Sequence, residues 1–213
     1  LKIENAGVTL SKRGVHIGDI DTHTNIPNIY VVGDASGHIS LVNVGELEGR
    51  YAVERIFSKK YYPINYKNIC TIMFLQPEVA SVGINEKTCI EEKIPVKVVK
   101  LDYSCIARAI AMRKTEGFFK IIVSDDDKMN ILGMRAVGEH ASSAIQGVGL
   151  LMKMDKNIQE LAEMVHPHPS IIEGIQECVR MLLNKSIFKS SIFKDKLWCY
   201  RRLGEHVENL QRL

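Results

Sequence analysis

Nine residues, Val165-His166-Pro167-His168-Pro169-Ser170-Ile171-Ile172-Glu173, hold two imidazoles, two prolines and a carboxylate. Proline locks φ and lacks an amide hydrogen, so the backbone around His168, between Pro167 and Pro169, is stiff and extended. Glu173 follows five residues later, in the first turn of an apolar helical pattern. An imidazole held against a carboxylate has its tautomer selected, which is how a general base is prepared. The spacing also has a purely structural use, because Ser170-x-x-Glu173 is a capping box for the helix that follows. A second candidate lies at Gly33-Asp34, directly after the β-branched run Ile29-Tyr30-Val31-Val32, which reads as a short buried strand. Open α/β sheets bind ligands at such strand ends. Gly33 permits close backbone approach, and Asp34 offers an acceptor for a ligand hydroxyl. Leu41, Val42 and Asn43 then stand at the start of a helix over 43–57, where free N–H groups and the positive dipole end suit an electron-rich ligand edge. A turn-forming aspartate accounts for Asp34 as well.

Two sets of elements must position these residues. Residues 1–26 read as short strands and turns, with Val8–Leu10 and Val15–Ile17 around a turn at 11–14. The helix at 43–57 carries Leu47, Tyr51 and Ile56 on or near one face. Periodicity breaks over 58–68, and this linker is taken as the domain boundary. Beyond it, strands are expected at 70–74, 79–83, 96–101, 118–123 and 131–137, with helices at 86–92, 140–154 and 158–164. After the histidines, Ile171, Ile175, Cys178, Val179 and Leu182 form a helical stripe, with Glu177 and Arg180 outside it. The acidic Asp125-Asp126-Asp127 lacks the glycine and distal glutamate of an EF-hand loop and is read as a solvated turn. The second domain is therefore α+β, an antiparallel sheet with packed helices. In the extension at 189–213, Leu203, Val207 and Leu210 have the i, i+4, i+7 spacing of an amphipathic helix.

The chain has 213 residues, 46% hydrophobic and 25% charged, with room for one large or two small soluble domains. A net charge of +3 is too small to argue for nucleic acid. No apolar run approaches the ~20 residues of a membrane span. The five cysteines, at 70, 89, 105, 178 and 199, form neither CxxC nor CxxxxC, so no metal site is expected. They read as reduced thiols of a cytoplasmic protein. The first methionine is Met73, so a fragment or processed product is expected.

Three segments together resemble the pyridine nucleotide–disulfide oxidoreductases. Thr24-x-x-Pro27-x-Ile29-Tyr30-x-x-Gly33-Asp34 is similar to their second flavin-binding motif. Pro77-Glu78-Val79-Ala80-Ser81-Val82-Gly83 is similar to the opening hairpin of their dimerisation domain. His166-x-His168-Pro169-x-x-x-Glu173 resembles their active-site histidine signature, in the form found in the dihydrolipoamide dehydrogenase branch. The resemblance implies a dimerisation domain over 67–188, preceded at 1–66 by the C-terminal piece of an α/β FAD-binding domain. It implies that Gly33, Asp34, Leu41, Val42 and Asn43 contact FAD, and that His168 is the acid–base residue with Glu173 as its orienter. It also implies a homodimer in which the histidine serves the neighbouring subunit's disulfide, NAD bound outside this chain, and lipoyl domains of 2-oxo acid dehydrogenase complexes as partners. The isolated piece is expected to hold FAD weakly or not at all and to be inactive. Soluble transhydrogenase-like and mercuric-reductase-like members, or a non-catalytic dimerisation module, are the alternatives.

Overall fold

β-Branched and aromatic runs in the second half of the chain assemble one seven-stranded antiparallel sheet. Its strands are β1 (Thr71–Met73), β2 (Val79–Gly83), β3 (Val96–Asp102), β4 (Phe118–Ser124), β5 (Ile131–Val137), β6 (Leu197–Leu203) and β7 (His206–Asn209). They lie in the order β1-β2-β5-β4-β3-β6-β7. The computed structural model describes residues 2–11, 22–58, 62–189 and 191–210. It divides into two units, Leu1–Tyr66 and Lys67–Leu213, and the sheet belongs to the second.

Alternation along paired strands sends side chains to both faces of this sheet. Val99 and Leu101 of β3, with Phe119 and Ile121 of β4, join the main core. That core is covered by α4 (Ala141–Lys153), through Ala144, Ile145 and Val148, and by α6 (Glu173–Leu182), through Ile175, Cys178, Val179 and Leu182. The opposite face has a smaller cluster, where Val96, Val98 and Ile122 meet Cys89 of α2 (Glu86–Glu91). The short α3 (Ala107–Ala111) and α5 (Gln159–Glu163) complete the unit. The result is the expected antiparallel sheet with packed helices.

The Pro77-Glu78 start of β2 has a physical role in this arrangement. Glu78 Oε2 accepts the Ser142 N–H at 2.9 Å and the Ser142 hydroxyl at 2.7 Å. A carboxylate is thereby seated on the first turn of α4, where the helix dipole favours negative charge. These two bonds hold its carboxyl below the ordinary range, against a smaller opposing effect of burial.

Residues 197–209 depart from the helical expectation for the extension. Instead of an amphipathic helix, Leu197–Leu203 and His206–Asn209 form a hairpin that turns at Gly204 (φ +55°). β6 pairs along the otherwise open edge of β3, from Val96–Arg202 to Leu197–Leu101. An unsatisfied sheet edge offers a row of backbone bonds that a lone helix face cannot match. Alternation completes the case: Leu197 and Cys199 enter the main core, while Tyr200 packs on the α2 side. Glu86 fastens the added strand, accepting Tyr200 Oη at 2.6 Å, Arg202 Nε at 3.2 Å and Lys120 Nζ at 2.7 Å.

Glu177 was expected outside the helical stripe but is only 3% exposed. The chain after α6 folds back over it and covers that side of the helix, so periodicity within α6 could not reveal its burial.

In the first unit, the helix α1 (Val42–Phe57) forms as expected, but its buried side carries Val44, Glu48, Tyr51 and Ala52. Leu47 and Ile56 are exposed, because a polar hub at Glu48 takes the inward position. Ile29–Val32 does not form a strand. Among the described residues its pairing is a single bridge between His23 and Tyr30, with Val31 N–H donating to Thr22 O. The expected strand at Val15–Ile17 lies outside the described residues.

Candidate active site

His168 and Glu173 come together at the N-terminus of α6. The His168 Nδ1–Glu173 Oε1 distance is 2.8 Å, and Glu173 Oε2 accepts the Ser170 N–H at 2.8 Å. One carboxylate thus serves the backbone with one oxygen and the ring with the other, but the expected capping box is only half formed. α6 starts at Glu173 with Ile172 before it, no side chain caps it, and the buried Ser170 hydroxyl has no hydrogen-bond partner among the described residues. Burial would raise the Glu173 carboxyl, but the Ser170 amide and the His168 ring outweigh it, and the net shift is downward. An ionised carboxylate only accepts hydrogen bonds. Neutral His168 must then carry its proton on Nδ1, leaving Nε2 as a bare acceptor. The side chain of His168 is 70% exposed and that of Glu173 25%, so the ring reaches outward from a better-shielded anchor.

Local packing sets where that anchor stands. Gly174 is buried, and a Cβ there would lie 2.5 Å from Ile106 Cδ1 and 2.8 Å from Phe119 Cδ2. The absence of a side chain lets the first turn of α6 sit directly on β4. His166 is engaged separately, with Nδ1 3.2 Å from Met164 O, and burial pushes its imidazole below the usual histidine range.

A cleft of about 180 Å³ opens beside the pair, lined by His168, Glu173 and Arg180 among others. On its α6 side, the buried Glu177 accepts the Ser186 hydroxyl at 2.5 Å and lies 3.5 Å from Arg180 Nη1. Burial pushes the Glu177 carboxyl upward, and Ser186 and Arg180 offset only part of this.

The second candidate set lies in the first unit. Gly33 has φ +66°, a left-handed conformation that glycine adopts without strain, and its N–H donates to Glu48 Oε2 at 2.6 Å. Gly45 comes equally close, since a Cβ there would lie 3.1 Å from Gly33 Cα. Asp34 is exposed in the turn Gly33–Ser36, just after this contact. Leu41 is the extended residue before α1, no side chain caps the helix, and Val42 is 88% exposed. The first amides, at Val42 and Asn43, therefore point out of an uncapped helix end. Close backbone approach, an exposed acceptor and an open positive end suit a ligand bearing hydroxyls and an electron-rich ring.

Glu48 is the residue that reading the sequence missed. It is 1% exposed and also accepts the Tyr66 hydroxyl at 2.8 Å, which contributes after burial to pushing the Tyr66 phenol well up. A lone acid in the apolar stripe of 44, 51 and 52 was the available signal.

Residues 69–179 match the pyridine nucleotide-disulphide oxidoreductase dimerisation domain. The chain is 37% identical over 171 residues to a dihydrolipoyl dehydrogenase of Chlamydia trachomatis and 29% identical over 187 residues to that of Bacillus subtilis. These alignments cover 80% and 88% of the chain but only 36% and 39% of those proteins. Among solved structures, LpdA from Mycobacterium tuberculosis aligns with a TM-score of 0.77 and 25% identity, covering 85% of the chain and 39% of LpdA. The HOCl-induced flavoprotein disulfide reductase RclA from Escherichia coli aligns at 0.78 and 25%, over 85% of the chain and 42% of RclA. The matched domain and the His168–Glu173 anchor lie in one folded unit, and on the domain match the chain belongs to the pyridine nucleotide–disulphide oxidoreductase family.

Proposed function

We propose that this chain is the C-terminal part of a dihydrolipoamide dehydrogenase, a cytoplasmic homodimeric flavoprotein that oxidises dihydrolipoamide on lipoyl domains with NAD. In balance, two thiols become a disulfide, NAD⁺ takes a hydride and one proton is released. The observation that carries the reading is the 2.8 Å contact from His168 Nδ1 to an ionised Glu173, which leaves Nε2 free to accept a thiol proton. The thiolate, not the thiol, attacks a disulfide. Glu173 holds the ring's tautomer and stabilises the imidazolium that forms. Residues 1–66 belong to the FAD-binding domain, 67–188 to the dimerisation domain, and 189–213 to an extension that lengthens the sheet.

FAD, when bound, supplies two-electron transfer between the enzyme disulfide and nicotinamide. Asp34 would hold a hydroxyl of its ribityl chain, beside the backbone of Gly33, and the amides from Leu41 to Asn43 would face its pyrimidine edge. The fit of Gly33 and the uncapped helix end supports this assignment. Most family contacts to FAD and all of those to NAD fall outside the chain, so the isolated piece retains little flavin.

An apolar strip supports the homodimer. At the outer edge of the sheet, Ile72, Met73, Phe74 and Leu75 are 51%, 57%, 94% and 57% exposed. A contiguous apolar strip at a sheet edge is a surface that association would cover.

The decisive experiment uses the full-length protein under anaerobic conditions. Dihydrolipoamide is expected to reduce its flavin and drive stoichiometric NADH formation. No NADH from dihydrolipoamide, with a flavin that NADH still reduces, would remove the dithiol assignment.

A further inference from the structure

The cleft beside His168 is closed by residues from beyond the matched dimerisation domain. Its lining includes Leu101 and Ile106 from the sheet side, and Ile187 and Phe188 from the segment after α6. The matched domain ends at residue 179, so this wall is supplied by the segment that follows it. It is also a built wall. Glu177, buried within α6, accepts the Ser186 hydroxyl, and the Phe188 N–H donates to Ser186 Oγ at 3.1 Å. The Phe188 ring meets Phe193 edge-on at 5.0 Å between centroids. Ile187 stands next to it, 69% exposed. A buried carboxylate needs a partner, and here that partner is the serine that sets the turn.

We propose that the turn Ser186–Phe188 is a specificity element of the His168 site, whose apolar wall packs against the hydrocarbon arm of a dithiol substrate. The inference rests on the reading of His168 given above. His168 and Glu173 themselves line the cleft, so a thiol bound beside the imidazole can lay the rest of its molecule over this wall. An apolar arm of several methylenes gains by leaving water there, whereas a short polar dithiol has nothing to place on it. Ser186 and Glu177 act as positioning residues, since they touch the wall and not the substrate.

The test is steady-state kinetics of the full-length protein with dihydrolipoamide and with dithiothreitol, which has no arm. Phe188→Ala is expected to raise KM for dihydrolipoamide by roughly tenfold, the scale of a lost apolar contact in a pocket. kcat, its pH profile and kcat/KM for dithiothreitol should stay within twofold, and Phe188→Leu should recover most of the loss. Ile187→Ala, at an exposed position that folding tolerates, should shift KM in the same direction by a smaller factor. Equal effects on both dithiols, or none on either, would overturn the wall. A wild-type protein that oxidises neither dithiol with NAD overturns the reaction assignment instead.

Discussion

At the scale of residues, one carboxylate serves two partners, and that decides what each substitution should do. His168→Ala in the full-length protein removes the proton acceptor and should slow reduction by dihydrolipoamide by ~10²–10⁴-fold, the usual worth of a positioned base. Reduction by NADH needs no such acceptor and should change little. His166→Ala should cost far less, because its Nδ1 lies against Met164 O. Glu173→Gln keeps the bond to the Ser170 amide but loses the charge opposite the imidazolium, so its effect should fall between the other two. Rapid mixing of the two half-reactions separates these outcomes, and equal losses at His166 and His168 would refute the roles given to them. Glu78 offers a check that involves no catalysis. Its folded carboxyl is lowered by the Ser142 bonds, so it contributes stability above the unfolded value of about 4.3. That contribution is lost as pH falls through the lowered folded value. Glu78→Gln should therefore be less stable than wild type at neutral pH, by about 1 kcal/mol as for other helix-start partners. Urea midpoints of the two proteins should converge in acid, and a gap that persists unchanged below pH 3 would contradict the sign.

At the scale of elements, the base is only as well placed as the first turn of α6. That turn rests on β4 through Gly174, with no room for a methyl group between it and Ile106 or Phe119. Gly174→Ala is expected to destabilise the fold by about 1–3 kcal/mol, the typical cost of overpacking, despite alanine's better helix propensity. It should also lower turnover by lifting Glu173, the adjacent residue. Adding Ile106→Val should recover part of both losses, which thermal unfolding and kinetics on the single and double variants can measure. If Gly174→Ala proves as stable as wild type, the helix does not sit as tightly as these distances imply.

At the scale of the whole molecule, the question is which apolar surface a second copy covers. The strip Ile72–Leu75 leaves Phe74 almost wholly in water at the free edge of β1. Sedimentation of the chain should show a dimer at micromolar concentration, and Phe74→Glu should shift it toward monomer. The opposite edge predicts no such effect. There β7 is short, exposed and interspersed with charge, which discourages strand addition. If Phe74→Glu leaves the dimer intact, the interface lies elsewhere on the unit.

Several features were legible in the chain itself because they depend on neighbours close in sequence. Spacing alone brought His168 and Glu173 to the start of one helix, and local periodicity located α1, α4, α6 and strands β2 to β5 to within a few residues. Ser170-x-x-Glu173 read as a capping box and as an orienter; the orienter contact forms, while of the box only the glutamate's bond to the Ser170 amide does, because α6 starts at Glu173 itself. Tertiary structure decided what depends on distant partners. Residues 197–209 became strands because β3 offered an open edge, although Leu203, Val207 and Leu210 have helical spacing. Ile29–Val32 shows, among the described residues, only the bridge from Tyr30 to His23 in place of the expected strand. Glu48 and Glu177 turned inward because Gly33, Tyr66 and Ser186 supply their hydrogen-bond donors. A charged residue's burial is settled by what reaches it across the fold, and helical or strand periodicity carries no record of that.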